Sequence, residues 1–131
     1  MFLDASAMVA ILVEESDAAS LTKRLEQAVA PCTSPIAIYE RLLGSCGPAR
    51  RDPHGGDDPR SPPRASEGAR IVPITAEIGR RALSAFERYG RGRHPATLNM
   101  GDCLAYAYAR ELDVPILFKG DDFPLTDITV A

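Results

Sequence analysis

Five acidic residues stand directly beside apolar runs, and their neighbours repeat a single theme. Asp4 follows Met-Phe-Leu, Glu40 follows Ile-Tyr, Asp102 sits in Asn-Met-Gly-Asp-Cys, and Asp121-Asp122 follow Ile-Leu-Phe-Lys-Gly. A carboxylate at the edge of a core element is costly to bury unless something pairs with it. No Lys or Arg lies at matching positions, so a divalent cation is the partner that these acids suggest. Mg2+ is expected, with Mn2+ as the alternative, because both prefer oxygen ligands. The chemistry that follows is attack of water on a phosphodiester, with the metal lowering the pKa of the water and neutralising phosphate charge.

The elements that must position these acids alternate between strand and helix. Phe2-Leu3 reads as the end of a buried strand, and 5–13 as a helix with little polar surface. Ser16-Asp17 is placed to cap a second helix, 17–29, with Ala18, Leu21, Leu25 and Val29 on its apolar side. A brief strand fits 31–33, and Ser34-Pro35 is a good start for the helix that carries Ile36, Tyr39, Glu40 and Leu43. Further on, 70–74 reads as a strand, and Thr75 caps a helix over 76–89 with Ile78, Ala82, Ala85, Phe86 and Tyr89 at helical spacing, ended by Gly90. Asn99 is placed to cap a helix over 100–112, followed by a strand at 114–118, a turn at 120–122 and a short last strand at 127–130. This alternation predicts an α/β fold with a mainly parallel sheet covered by helices on both faces. Ligands of such sheets gather at the carboxyl ends of the strands, where Asp4, Glu40, Asp102 and the Asp121-Asp122 turn can all reach one rim.

Each acid also has a structural role open to it. Asp4 can cap a helix, Asp102 can answer a helix dipole, Glu40 can be a solvated helix residue, and Asp121-Asp122 can form a plain turn. Ser6 reads either as a hydrogen-bond donor to Asp4 or as a small helix residue. The stretch 80–94 holds Arg80, Arg81, Arg88, Arg91, Arg93 and His94 against the single acid Glu87. It can grip nucleic-acid phosphates near the acids, chiefly through Arg91 and Arg93, or it can be a solvated helix end. His94 is read as a loop residue rather than a general acid.

With 131 residues and a net charge of −3, the chain is most simply one domain and no polycation, so nucleic acid must be met by a local patch. Cys32, Cys46 and Cys103 form no CxxC pair and imply neither a disulfide framework nor a zinc site. The N-terminus lacks a basic region followed by an apolar stretch, and no run is long enough to span a bilayer, so a cytoplasmic setting without membrane partners is expected.

The motifs together resemble the PIN-domain ribonucleases, specifically the VapC toxins of VapBC toxin–antitoxin modules. The resemblance covers residues 1–43 and 70–128 and rests on Phe-Leu-Asp-Ala-Ser, Ser-Pro-Ile-Ala-Ile-Tyr-Glu, Tyr-Gly-Arg-Gly-Arg-His, Leu-Asn-Met-Gly-Asp-Cys and Leu-Phe-Lys-Gly-Asp-Asp-Phe-Pro-Leu-Thr-Asp-Ile. It implies a single PIN domain over 1–131, a three-layer α/β/α fold. It further implies a Mg2+-dependent endoribonuclease, usually a homodimer, held in check by a VapB-type antitoxin. The implied acidic site is Asp4, Glu40, Asp102 and one acid of the Gly-Asp-Asp-Phe turn. Asp122 is preferred there because the family pattern places the acid directly before Phe; Asp121 is the alternative. Asp4 and Asp102 are the implied principal metal ligands, and Glu40 helps hold the metal or orient the attacking water.

Residues 44–70 depart from the family. From Gly44 to Arg70 the chain contains no Ile, Leu, Val, Met, Phe, Tyr or Trp, and it carries Pro48, Pro53, Pro59, Pro62 and Pro63. An irregular Gly/Pro/Arg-rich segment is expected there. One hypothesis is a compensated pair of reading-frame shifts in GC-rich DNA, since the segment's length suits the family while its side chains do not. Translation of the coding DNA in the other two frames tests it, and absence of a helix-patterned sequence in both sinks it. An inserted loop is the rival account. The segment opens a second functional reading, a catalytically impaired PIN module that only binds antitoxin or RNA. A third, a receiver- or phosphatase-type domain, draws on Asp4 and Lys119, but no Asp-x-Asp follows the first strand because residue 6 is Ser.

Overall fold

The computed structural model describes residues 1–45 and 68–131. The Gly/Pro/Arg-rich reading of 44–70, apart from its ends, lies outside the described residues. Four short strands form one parallel sheet: β1 (Phe2–Leu3), β2 (Cys32–Thr33), β3 (Arg70–Ile71) and β4 (Ile116–Leu117), in the order β3-β2-β1-β4. The register pairs Phe2 with Cys32 and Ile116, and Cys32 with Arg70. Around the sheet lie α1 (Ala5–Leu12), α2 (Ala18–Glu26), α3 (Pro35–Ser45), α4 (Ala76–Tyr89) and α5 (Met100–Leu112).

Successive strand residues point to opposite faces, and this builds two cores. Phe2, Cys32 and Ile116 pack with Ile78, Ala82, Tyr106 and Tyr108 of α4 and α5. Leu3 and Leu117 pack with Met8, Leu21 and Ala37 of α1, α2 and α3. Phe2 stacks on Tyr108 with ring centroids 5.2 Å apart. The result is the expected three-layer α/β/α arrangement, with the central pair β1-β4 fully buried.

Capping follows the local sequence. The Ser34 hydroxyl accepts the N–H of Ala37 at 3.1 Å, and Thr75 accepts that of Ile78 at 3.2 Å. Asn99 and Asp102 form a reciprocal capping box at the start of α5. Gly90 ends α4 for a steric reason, since its φ of −67° is open to any residue. A Cβ there would come within 2.4 Å of the Phe86 carbonyl oxygen.

Four expectations change. Helix α2 stops at Glu26, so Val29 stands fully exposed instead of on an apolar face. Asp17 takes the capping position but makes no cap bond, because its carboxylate accepts from Lys119 Nζ at 3.0 Å. Strand β3 stops at Ile71, before Pro73, which has no N–H to give to a ladder. The last strand reduces to one parallel bridge, Ile116 with Val130. There the Thr126 hydroxyl takes the Ile128 N–H at 3.3 Å, and Tyr106 draws Asp127 aside at 2.5 Å.

Candidate active site

The carboxyl ends of β1 and β4 bring the acids together. Asp4 is the first residue after β1, and its N–H donates to the Leu117 carbonyl at 3.0 Å, which fixes it beside the end of β4. It caps α1: the Ser6 N–H and the Ser6 hydroxyl both donate to Asp4 Oδ2, at 2.9 and 2.5 Å. The same hydroxyl accepts the Lys119 N–H at 3.0 Å. Ser6 therefore ties Asp4 to the chain that leads into the Asp121-Asp122 turn, which is the supporting role open to it from sequence. Asp4 is only 5% exposed. Burial pushes its carboxyl above the ordinary range, against the opposing effect of the Ser6 and Ala5 hydrogen bonds.

Glu40 and Asp102 come from facing helices, α3 and α5. The Asp102 carboxylate accepts the Asn99 N–H at 2.8 Å, so its capping role and its place at the rim coexist. Burial raises Glu40, and the charges of Asp4 and then Asp102 raise it further. Burial likewise raises Asp102; the Asn99 N–H opposes this, Asp4 and Asp122 add to it, and Arg91 pulls the other way. Asp4 and Asp102 are thus near enough to act on Glu40, and Asp4 and Asp122 near enough to act on Asp102. Of the turn acids, Asp122 acts on Asp102.

Among the described residues none of these four carboxylates has an ion-pair partner. Nor do any three His, Cys, Asp or Glu side chains among them stand close enough to form a ready-made metal cage. The donor set still suits a hard cation. It is all oxygen and has no ion-pair partner among the described residues, and Mg2+ keeps several waters and needs only one or two carboxylates directly. Asp4 offers an oxygen for this, since both of its close hydrogen bonds fall on Oδ2.

The basic stretch divides. Arg80 pairs with Glu77 at 2.6 Å, Arg81 with Glu111 at 2.6 Å, and Arg88 with Asp127 at 3.4 Å. Arg91 and Arg93 are exposed and form no ion pair with a described residue, although the Arg93 guanidinium lies 5.4 Å from the Phe86 ring centroid. Backbone bonds of Arg91 and Leu98 close the loop at its base, directly before α5 and Asp102. His94 accepts the Ala96 N–H on Nδ1 at 3.1 Å and packs edge-on against Tyr89, a structural loop role. Lys119 is held by Glu15 and Asp17 and does not reach into the acidic cluster.

Sequence reasoning passed over Gly101. An ideal Cβ at this position would lie 2.0 Å from Glu40 Oε1, so the glycine makes room for the Glu40 carboxylate. The signal was present as the Gly in Asn-Met-Gly-Asp, but its reason needs the facing helix.

The fold and the acids define an α/β/α domain with an acidic rim at the carboxyl ends of a parallel sheet. The profile of the PIN domain matches residues 1–128, and the chain belongs to the PIN domain family. It is 38% identical to a VapC ribonuclease of Rhizobium meliloti, over 97% of this chain and 98% of that protein. It is 40% identical to a ribonuclease VapC of Mycolicibacterium smegmatis, over 100% and 99%. With ribonuclease VapC28 of Mycobacterium tuberculosis the identity is 38%, over 100% and 97%. The crystal structure of Mycobacterium tuberculosis VapC20, described as a sarcin–ricin loop cleaving toxin, superposes with a TM-score of 0.71 at 15% identity, covering 99% of this chain and 97% of that one. That likeness concerns the fold. No helix among the described residues is long and apolar enough to cross a membrane.

Proposed function

We propose that this chain is a VapC-type toxin, a metal-dependent endoribonuclease that hydrolyses RNA phosphodiesters at the Asp4–Glu40–Asp102–Asp122 rim. The observation that carries the reading is four carboxylates at one rim, coupled through Glu40 and Asp102 and without an ion-pair partner among the described residues, in a chain whose relatives are VapC ribonucleases. Asp4 and Asp102 would hold Mg2+ or Mn2+, with Glu40 and Asp122 beside them. The bound ion supplies an acidified water and charge neutralisation at the phosphate.

The protein's own residues do the rest. Ser6 holds the Asp4 carboxylate in one orientation through two hydrogen bonds. Glu40, whose affinity for a proton is raised by burial and by its acidic neighbours, is the group matched to accept a proton from the attacking water. Arg91 and Arg93 take the RNA phosphates at the entrance to α5. Asp121 sits beside Asp122 in the turn and supports it. A cognate VapB-type antitoxin and a homodimeric state complete the reading.

The test is cleavage of a total small-RNA pool by the purified protein with Mg2+ or Mn2+, with EDTA, and beside an Asp4→Ala control. Metal-dependent cutting lost in the control supports the nuclease. The composition of 44–70 favours a second reading, an impaired PIN module that only binds antitoxin or RNA. A protein folded by circular dichroism that cuts nothing would move the assignment there.

A further inference from the structure

Gly101 is the second residue of α5 and is buried where α5 faces α3. A Cβ at this position would lie 2.0 Å from Glu40 Oε1, 2.4 Å from Oε2 and 2.5 Å from Cδ, far inside any contact that atoms tolerate. No positive φ demands glycine here, so the requirement is one of space. Gly68, Gly79, Gly92 and Gly120 differ, since a Cβ on any of them would meet nothing.

Among the described residues nothing else places the Glu40 carboxylate. No described residue gives its carboxylate a hydrogen bond or an ion pair. The Gly101 N–H points instead to Asn99 Oδ1 at 2.7 Å, so the glycine cannot hold Glu40 by hydrogen bonding. What remains is shape, with a favourable helix N-terminus behind it. We propose that Gly101 is a positioning residue: its missing side chain is the seat of the Glu40 carboxylate, against the first turn of α5 and next to Asp102. This rests on the reading of Glu40 as part of the metal-dependent site. A methyl group in the seat displaces the end of a flexible side chain rather than backbone, so the fold survives while the carboxylate leaves its place.

The test is Gly101→Ala, with Mn2+ affinity read by calorimetry and melting followed in EDTA. Mn2+ affinity is expected to fall about 10–100-fold, the range for loss of a group that orients a metal site. Melting in EDTA is expected to stay level or rise, because Ala is the better helix former. In a Glu40→Ala background the same substitution is expected to leave Mn2+ affinity unchanged, since the two residues act as one unit. Unaltered Mn2+ binding in Gly101→Ala, or an equal loss in both backgrounds, would overturn the proposal. If Gly101→Ala alone does not fold, the double variant, which lacks the clash, is expected to fold, and its failure would also overturn it. A wild-type protein that neither binds Mn2+ nor cuts RNA refutes the metal site itself. In that case the crystal structure of Gly101→Ala decides the steric part. A displaced Glu40 carboxylate supports it, and an unmoved one with α3 and α5 spread apart defeats it.

Discussion

The acidic rim and the arginine-rich stretch from Arg80 to His94 carry similar densities of charge, and the fold treats them in opposite ways. Along α4 the cations are answered by Glu77, Glu111 and Asp127, in pairs whose side chains are more than a third exposed. Such exposed pairs settle charge more than they hold structure. At the rim the carboxylates raise one another's proton affinity instead, Asp4 nearly buried, with no ion pair to a described residue and only the field of Arg91 opposing at Asp102. Like charges gathered at a cost to the folded state are what the proposed metal site requires. Arg91 and Arg93 differ from the α4 arginines, because they form no ion pair with a described residue and Arg91 acts on Asp102 at the rim.

If the contrast holds, substitutions at the rim must dwarf those along α4. Asp4→Asn and Asp102→Asn are expected to lower metal-dependent RNA cleavage by about 10³-fold, corresponding to several kcal/mol of lost charge stabilisation, without loss of the circular-dichroism signal. Asp121→Asn should leave cleavage within about threefold while Asp122→Asn lowers it by about tenfold or more; the reverse order would put Asp121 at the site.

An intermediate effect is expected from the Arg91→Ala/Arg93→Ala pair. RNA affinity should drop by about tenfold and the slope of log K against log salt should shrink by about 1.4, for two phosphate contacts on a single strand. An unchanged slope would leave these arginines as ordinary surface residues.

The rim also makes a stability prediction. Asp102 has its pKa raised in the folded state above the ordinary 3.8, so its contribution is present below that value and is lost as pH rises through the folded pKa. In EDTA at neutral pH, Asp102→Asn is therefore expected to melt higher than the wild type, since Asn still offers an oxygen to the Asn99 N–H. The advantage should vanish at acid pH, where the wild-type carboxyl is protonated. Thermal melts across pH 3 to 8 check this, and equal melting temperatures at neutral pH would contradict it. The smallest change is expected for Arg80→Ala, whose pair with Glu77 is solvent-exposed, so the melting temperature and RNA cleavage should both be nearly unaltered.

Much of the fold could be read from local signals because the determinants are local. Ser34, Thr75 and Asn99 cap the helices that follow them, and the strand–helix alternation specifies a parallel sheet. Misjudged positions were those where a distant partner outbid a local preference. Asp17 gives its carboxylate to Lys119 instead of to its own helix, and Asp127 is taken by Tyr106, away from a fifth strand. Phe86, at core spacing on α4, remains 37% exposed because Ile78, Ala82, Ala85 and Tyr89 already fill the face toward α5.

By itself the sequence determined which acids stand at element edges, where the helices start, and that the strands run parallel, since capping, periodicity and burial preference act over a few residues. Only the tertiary structure decided that Glu40 lies against Gly101, that Ser6 ties Asp4 to the chain after β4, and that the α4 arginines are neutralised. These depend on distances between residues far apart in the chain, from about 60 positions for Glu40 and Gly101 to 113 for Ser6 and Lys119, and such distances are set by packing around the sheet.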